Sequence, residues 1–197
     1  MTSSVTSTPV GVTVTQFNAM EASELVDQLT GLFASRDLAT AVAAARPIAT
    51  IDALCGAASV LLHEQHDETV LESVNAHPPI GGTVESGSRS AAEQATAAED
   101  QGENGEMTSI RNLQPTYREK FGWNFLVRAA GKDSRQILDN LVVRLAHEPE
   151  EEWPFVLRHL DAINQLRLRG FVTEDDGTVR EASGVSEVTT CACPPTS

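Results

Sequence analysis

The sequence predicts an all-α protein, folded as a single compact domain of seven or eight helices. The chain has 197 residues, which is long enough for one domain with a hydrophobic core. Only 5% of the residues are aromatic, whereas the helix formers alanine and leucine are plentiful. Apolar side chains also recur with the spacing of helical turns. We expect the domain at residues 15–171, between a flexible N-terminus at 1–14 and a disordered acidic tail at 172–197.

The first half of the domain is predicted to contain four helices, two of which present an apolar face of four residues. These residues are Leu25, Leu29, Leu32 and Phe33 in the first helix, and Leu54, Ala58, Leu61 and Leu62 in the third. Ser23 is the predicted N-cap of the first helix, and Pro47 ends the second. Cys55 lies in the apolar run of the third helix and is expected in the core. The fourth helix, at 68–76, leads directly into His77.

The middle of the chain mixes helical and irregular segments. Residues 88–100 favour a helix by composition, and the acidic, glycine-interrupted stretch 99–106 is expected to be a surface loop. A helix resumes at 107–122. Residues 123–131 are apolar and short, and they could be extended or helical.

Two amphipathic helices complete the domain. In the helix at 132–147, Ser134 is the predicted N-cap. Its aligned apolar residues are Ile137, Leu141 and Leu145. Pro149 begins the last helix, and the acidic residues that follow it suit the positive end of the helix dipole.

The charge of the chain excludes several classes of partner. The formal net charge is −14 and the pI is about 4.6. Such a chain repels phosphate backbones and anionic lipid, so we expect neither nucleic acid nor a membrane surface as a partner. An anionic substrate would need a locally positive pocket. Because no signal core or membrane-spanning run is found, the cytoplasm is the expected location.

The three cysteines suggest neither a disulfide framework nor a metal site. Cys191 and Cys193 lie in CACPP near the C-terminus, with no histidine close by. Two thiols alone make a poor zinc site, so we interpret them as thiols of the tail. The lack of a disulfide pattern fits a reducing compartment.

A histidine stands beside an unusually stiff stretch of backbone in NAHPPIGG, residues 75–82. Pro78 and Pro79 fix their own φ angles and push the preceding residues toward extended conformations. Gly81 permits a sharp turn. His77 is therefore held at a rigid corner. It is either a functional group with a fixed direction or an ordinary loop histidine beside a helix end.

Three polar residues are predicted to share one helical face, because Ser90, Glu93 and Gln94 are spaced at i, i+3 and i+4. The same spacing is typical of a capping box, in which Ser90 caps the helix and Glu93 bonds back to the Ser90 backbone. Both interpretations can hold at once, because a capped helix end displays its polar groups outward.

A cation interrupts the apolar face of the last helix. Val156, Leu160, Ile163 and Arg167 fall within about 60° of one another around the helix. An unpaired buried charge is very costly, so Arg167 must find a partner or line a cavity. The alternatives are a structural ion pair with a core acid, or a side chain that extends to an edge of the protein.

With these features in this order, the chain resembles the 2-oxo-4-hydroxy-4-carboxy-5-ureidoimidazoline (OHCU) decarboxylases of urate breakdown. The resemblance is to the bacterial members of that family. The matching stretches are FNAMEASELVDQL, AAARPIATIDAL, NAHPPIGG, SRSAAEQA, YREKFGWNFLVRAAGK, VVRLAHEPEEE and INQLRL. They span roughly residues 16–168, and HPxIG, SxxEQ and FGxxFLxRAAG are specific as a set. Two positions depart from the family. Pro79 stands where members often have Arg or Asp, and Trp123-Asn124 where many have Phe-Pro.

The resemblance implies a cytoplasmic, all-α homodimer that needs no metal or organic cofactor. It implies a decarboxylase that converts OHCU, a small anionic substrate, to (S)-allantoin and CO₂ in urate catabolism. The implied catalytic residues are His77, Glu93 and Arg167, and the implied substrate-binding residues are Pro78, Ser90 and Gln94. The alternative is a non-catalytic helical binding or scaffold domain. That alternative predicts an exposed apolar patch, and it predicts that the three catalytic candidates do not converge on one cavity.

Overall fold

The computed structural model describes residues 11–81 and 105–175, which contain eight helices and one pair of very short strands. In chain order these are β1 (Val12–Thr13), α1 (Val14–Ala19), α2 (Ala22–Phe33), α3 (Arg36–Ala44), α4 (Ile51–His63), α5 (Asp67–Ala76), α6 (Gly105–Phe121), α7 (Ser134–Leu145), α8 (Pro149–Phe171) and β2 (Val172–Thr173). The all-α prediction is therefore confirmed. The predictions for Ser90, Glu93 and Gln94, for Cys191 and Cys193, and for most of the two termini lie outside the described residues.

Two predicted N-caps were wrong, each by a short shift along the chain. The cap of α2 is Glu21, whose carboxylate accepts from the backbone N–H groups of Ser23 and Glu24 at 2.7 and 3.2 Å. The cap of α7 is Asp133, which forms a capping box with Gln136. In both cases a carboxylate just upstream reaches the free N–H groups of the first turn. The predicted caps, Ser23 and Ser134, lie inside their helices.

The segment 122–133 between α6 and α7 contains no helix, which decides between the two conformations left open for residues 123–131. It nevertheless buries Phe125, Leu126 and Val127 in the interior. Gly105 and Glu106, expected in the surface loop at 99–106, belong to α6, while the rest of that stretch and the predicted helix at 88–100 lie outside the described residues.

The apolar residues form two clusters. The larger one joins α1 to α5 with α8 and contains all four predicted residues of α2 as well as Cys55. Within α4, Leu54, Ala58 and Leu62 are buried, and Leu61 packs at the edge. The smaller cluster joins α6, α7 and the segment between them. Helix α8, 23 residues long, contributes to the larger cluster along most of its length.

Residues near the two predicted domain boundaries pair with each other. β1 and β2 are parallel, with Val12 opposite Val172 and Thr13 opposite Thr173. Beyond β2, the Asp175 carboxylate accepts from the Thr15 backbone N–H at 2.9 Å. The described structure therefore begins before residue 15 and continues past residue 171.

A buried ionic network holds the start of α8 against α6 and α7. Glu152 is fully buried, and its carboxylate accepts from Arg144 Nε at 2.7 Å and from the Tyr117 hydroxyl. The other carboxylate oxygen lies 2.8 Å from His147 Nδ1. Arg144, also buried, donates to the Leu126 carbonyl at 2.8 Å. Each charge thus has several partners in the interior, as a buried ion pair requires.

Replacing Glu152 with glutamine should destabilise the protein strongly, because Arg144 would lose the negative charge that compensates its own. We expect a loss of about 3 kcal/mol in the free energy of unfolding, measured by denaturant titration. The matched control is Asp27→Asn, which removes an exposed ion pair with Arg36 whose side chains are 65% and 68% exposed. That change should cost less than about 1 kcal/mol. Equal losses in the two variants would contradict the assigned role of Glu152.

Candidate functional site

His77 lies at the C-terminal end of α5 and is buried, with only 6% of its surface exposed. Its Nδ1 is 2.7 Å from the carbonyl oxygen of Ser73, one helical turn earlier. The Ser73 hydroxyl in turn donates to the Phe33 carbonyl at the end of α2, also at 2.7 Å. His77 thus stands beside a helix end, as the sequence suggests, and its ring is held in the interior by the contact with Ser73.

Arg167 is buried on the apolar face of α8, where the sequence places it, with 8% of its surface exposed. Its Nη1 donates to the Leu32 carbonyl at 2.8 Å and lies 3.1 Å from His77 Nε2. The last carbonyls of a helix lack intrahelical partners and carry the negative end of its dipole. The C-terminus of α2 is therefore a favourable place for a buried guanidinium.

The contacts of His77 determine which ring nitrogen carries the proton. A carbonyl oxygen can only accept, so Nδ1 must donate to Ser73. A guanidinium can only donate, so Nε2 must accept from Arg167. The contacts with Ser73 and Arg167 fit an imidazole whose Nδ1 carries a proton and whose Nε2 lone pair faces Arg167.

The turn after His77 is held by side chains from α6 and from the segment that follows it. The buried amide of Gln114 accepts from the Ile80 N–H and donates to the Ile80 carbonyl, both at 2.8 Å. Asn124 donates to the carbonyls of His77 and Asn75 at 3.2 Å. Gly81 has a φ of +69°, and a Cβ there would lie 2.8 Å from the Met107 side chain. The turn is therefore fixed by packing and hydrogen bonds as well as by its prolines.

Gln114 and Asn124 were not among the predicted site residues, although the sequence contains a signal for each. Gln114 interrupts the apolar face formed by Ile110, Tyr117 and Phe121 on α6, as Arg167 does on α8. Asn124 belongs to the Trp-Asn pair that departs from the family pattern. A search for polar residues inside every apolar stripe would have found the first.

A cleft of about 310 Å³ lies on the side of the turn that faces α6. It is lined by Pro79, Ile80, Gly81 and Phe125, with the exposed side chains of Arg111 and Arg118 on α6. His77 and Arg167 do not line it. The cleft is thus a separate surface feature and not the immediate surroundings of the buried pair.

His159 is a second enclosed histidine among the described residues. Burial, followed by the positive charges of Arg144, Lys132 and Arg158, lowers the pKa of His159 to about 4. Its Nδ1 accepts from the Arg128 backbone N–H at 3.4 Å. His159 is therefore neutral at neutral pH, chiefly because burial disfavours its charged form and also because its charged neighbours are mostly cations.

Comparison with known proteins identifies the family. A family model described as OHCU decarboxylase matches residues 18–169, most of the chain. This chain belongs to the OHCU decarboxylase family. It is 27% identical over 158 residues to 2-oxo-4-hydroxy-4-carboxy-5-ureidoimidazoline decarboxylase of Haloferax volcanii, covering 80% of this chain and 94% of that protein. It is 29% identical over 133 residues to the protein of the same name from Halalkalicoccus jeotgali, covering 68% and 76%.

Two solved structures of family proteins share the fold. One is a crystal structure of OHCU decarboxylase in the presence of (S)-allantoin, with a TM-score of 0.64 and 23% identity, covering 73% of this chain and 96% of that one. The other is (S)-allantoin synthase, with a TM-score of 0.65 and 22% identity, covering 82% and 54%. Because both identities are below 25%, these likenesses show a shared fold and no more.

The structure brings together two of the three residues that the resemblance implied as catalytic. His77 and Arg167 are in contact, and the half-buried Pro78 follows His77 directly. Ser90, Glu93 and Gln94 lie outside the described residues. In the part of the chain that is described, no group of three or more His, Cys, Asp or Glu side chains is placed to hold a metal. Within the same residues, no helix is long and apolar enough to cross a membrane.

Replacing Gln114 with methionine should loosen the His77 turn, because two buried backbone groups of Ile80 would lose their partner. We expect a loss of about 2 kcal/mol in the free energy of unfolding, and faster hydrogen exchange at the Ile80 amide. The matched control is Gln165→Met, which removes a single hydrogen bond to Asp161 on the side of α8. It should cost less than about 1 kcal/mol and leave Ile80 protected. An Ile80 amide that exchanges equally slowly in both variants would contradict the assignment.

Proposed function

We propose that this chain is a cofactor-independent carboxy-lyase that converts OHCU to (S)-allantoin and CO₂ in urate catabolism. The observation that carries the proposal is the contact between a buried histidine and a buried arginine, inside the fold of the OHCU decarboxylase family. An interior acid–base group beside a permanent cation suits an anionic substrate that must lose a carboxylate and gain a proton.

The proposed substrate carries a carboxylate and a hydroxyl on the same tetrahedral ring carbon. Loss of CO₂ leaves an electron pair on that carbon, which the adjacent ring C=N can take up. The hydroxyl then loses its proton as its carbon becomes a ring C=O, and a proton is delivered from one face to the neighbouring, ureido-bearing carbon, which sets the stereocentre of (S)-allantoin. The chemistry needs positioning, charge stabilisation and proton transfer, and side chains can supply all three.

His77 is proposed as the acid–base group. Its Nδ1 is committed to Ser73, so Nε2 is the atom that can take the hydroxyl proton and later return one to carbon. Protonated His77 would face the guanidinium of Arg167, which is unfavourable for two positive charges alone. A substrate carboxylate bound beside both groups would compensate them. The pair is thus arranged to work with an anionic substrate in place.

Arg167 is proposed to bind the substrate carboxylate. Its planar guanidinium has five N–H donors. The contacts with the Leu32 carbonyl and with His77 Nε2 are both made by Nη1. Glu93 is proposed to orient the imidazole or a substrate N–H. Ser90 and Gln94 would bind the ureido and ring groups, and Pro78 would form part of the wall. These roles come from the family motifs and stay predictions.

The scaffold alternative is less well supported. It predicts that the polar candidate residues lie far from one another in the fold. His77 and Arg167, however, are 90 positions apart in the sequence and in contact in the interior. It also predicts an exposed apolar patch, whereas the large apolar side chains exposed among the described residues are three valines, Val60 on α4 and the adjacent Val142 and Val143 on α7. The homodimer and the cytoplasmic location remain predictions from the sequence.

The direct test is turnover of OHCU, generated in place from urate by the two preceding reactions. The purified chain should accelerate the loss of OHCU and produce (S)-allantoin, followed by circular dichroism. The rate should be the same after exhaustive treatment with a chelator, because side chains supply the proposed chemistry. Racemic allantoin formed at the spontaneous rate would refute the function. A rate abolished by the chelator and restored by zinc would refute cofactor independence.

His77→Asn should remove activity far beyond its effect on stability. A positioned acid–base group contributes roughly 10² to 10⁴ in rate, whereas the lost hydrogen bonds should cost about 1–2 kcal/mol of stability. Activity should therefore be measured well below the melting temperature. The matched control is His63→Asn, because the exposed His63 makes the same ring contact with the carbonyl four residues earlier, at 2.8 Å from Ser59. A His77→Asn variant that is folded and fully active would exclude His77 from catalysis.

A further inference from the structure

One buried side chain near the proposed site has no hydrogen-bond partner among the described residues. Asn164 on α8 is only 2% exposed, and both its Nδ2 and its Oδ1 are without a partner in that part of the chain. A primary amide in an apolar interior is strongly unfavourable unless it is hydrogen-bonded. Since buried polar groups in folded proteins are nearly always paired, this amide calls for a specific explanation.

The position of Asn164 relates it to the His77–Arg167 pair. It precedes Arg167 by three residues, and such residues are neighbours on one face of a helix, with Cβ atoms about 5–6 Å apart. Leu160, Ile163 and Leu168 surround it on the buried side of α8. The amide therefore lies in the interior, on a residue one helical turn from Arg167, whose guanidinium contacts His77.

The neighbouring buried polar groups differ from Asn164 in having partners within the protein. Ser73 donates to Phe33, and Arg167 donates to Leu32. The described structure thus gives Ser73 and Arg167 hydrogen-bond partners and leaves the Asn164 amide without one. A buried polar group without a hydrogen bond is typical of a residue that is retained for binding a ligand.

We propose that Asn164 is a substrate-binding residue that pairs with the ureido group of OHCU, an inference that rests on the proposed function. An asparagine amide offers N–H donors next to a C=O acceptor, and a ureido group offers the complementary pair. In OHCU this group is attached to the ring carbon beside the one that loses CO₂. A residue one helical turn from Arg167 is suitably placed to bind it. Asn164 would then discriminate against analogues that lack the group.

The test uses Asn164→Leu, which keeps the approximate volume and removes the amide. If the amide is retained for the ligand, the unliganded variant should melt several degrees higher than the wild type. Its KM for OHCU should rise about tenfold, with a change in kcat below about threefold, as expected for lost ground-state binding. The matched control is Asn140→Leu on α7, because the Asn140 amide already donates to the Gln136 carbonyl at 2.8 Å. That variant should neither melt higher nor show a raised KM.

A binding experiment identifies the group that is recognised. (S)-Allantoin keeps the ureido arm, whereas hydantoin is the ring without it. Titration should show allantoin binding weakened about tenfold in Asn164→Leu, with hydantoin binding unchanged. Should the leucine variant not fold, Asn164→Ala is expected to give the same selective loss.

Each outcome decides between the alternatives. Unchanged KM and allantoin affinity in an active variant would overturn this inference, whichever way the melting temperature moves. A lower melting temperature with unchanged KM would indicate that the amide holds an internal water, and would also overturn it. Equal weakening of allantoin and hydantoin would overturn the ureido assignment. Failure of the wild type to convert OHCU would refute the proposed function, which is a separate result from these.

Discussion

The hydrogen bond from Arg167 to the Leu32 carbonyl is the interaction on which the site depends. A guanidinium cannot be neutralised at any relevant pH, so an arginine in the interior requires partners wherever the fold places it. The end of α2 supplies one, because its last carbonyls are unpaired and carry partial negative charge. Since Arg167 also contacts His77, the end of α2 helps to position both groups of the proposed site.

Helix α8 carries two buried charges, and the protein satisfies them in different ways. Glu152, near its start, is matched by the opposite charge of Arg144 and by the hydroxyl of Tyr117. Arg167, about 22 Å further along the helix, contacts the Leu32 carbonyl and the His77 imidazole. The first arrangement is a closed network that joins three elements of the fold. The second joins α8 to the end of α2 and to the His77 turn, where we propose that the anionic substrate binds.

The rigidity of the His77 turn has several sources. Pro78, Pro79 and Gly81 restrict the backbone, as the sequence suggests. The ring itself, however, is oriented by Ser73 and Arg167, and the turn is joined to the rest of the protein by Gln114 and Asn124. The end of α5, helix α6 and helix α8 therefore act together to fix the position of His77. This also gives Asn124, a departure from the family pattern, a defined structural role.

The sequence by itself determined the described helices other than α1, most of their buried faces and the two most informative polar residues. The helix ahead of His77 was expected at 68–76 and is found at Asp67–Ala76, because helical spacing and capping depend on nearby residues. Arg167 was identified because a cation stood in an apolar stripe. Its partner could not be predicted, since Leu32 lies 135 residues away and only the packing of α2 against α8 brings the two together. The same is true of Gln114 and Ile80, 34 residues apart, and of the pairing between β1 and β2. Hydrogen-bond partners distant in the chain are decided by tertiary structure, because a carbonyl or amide is present at nearly every position and only the fold selects one.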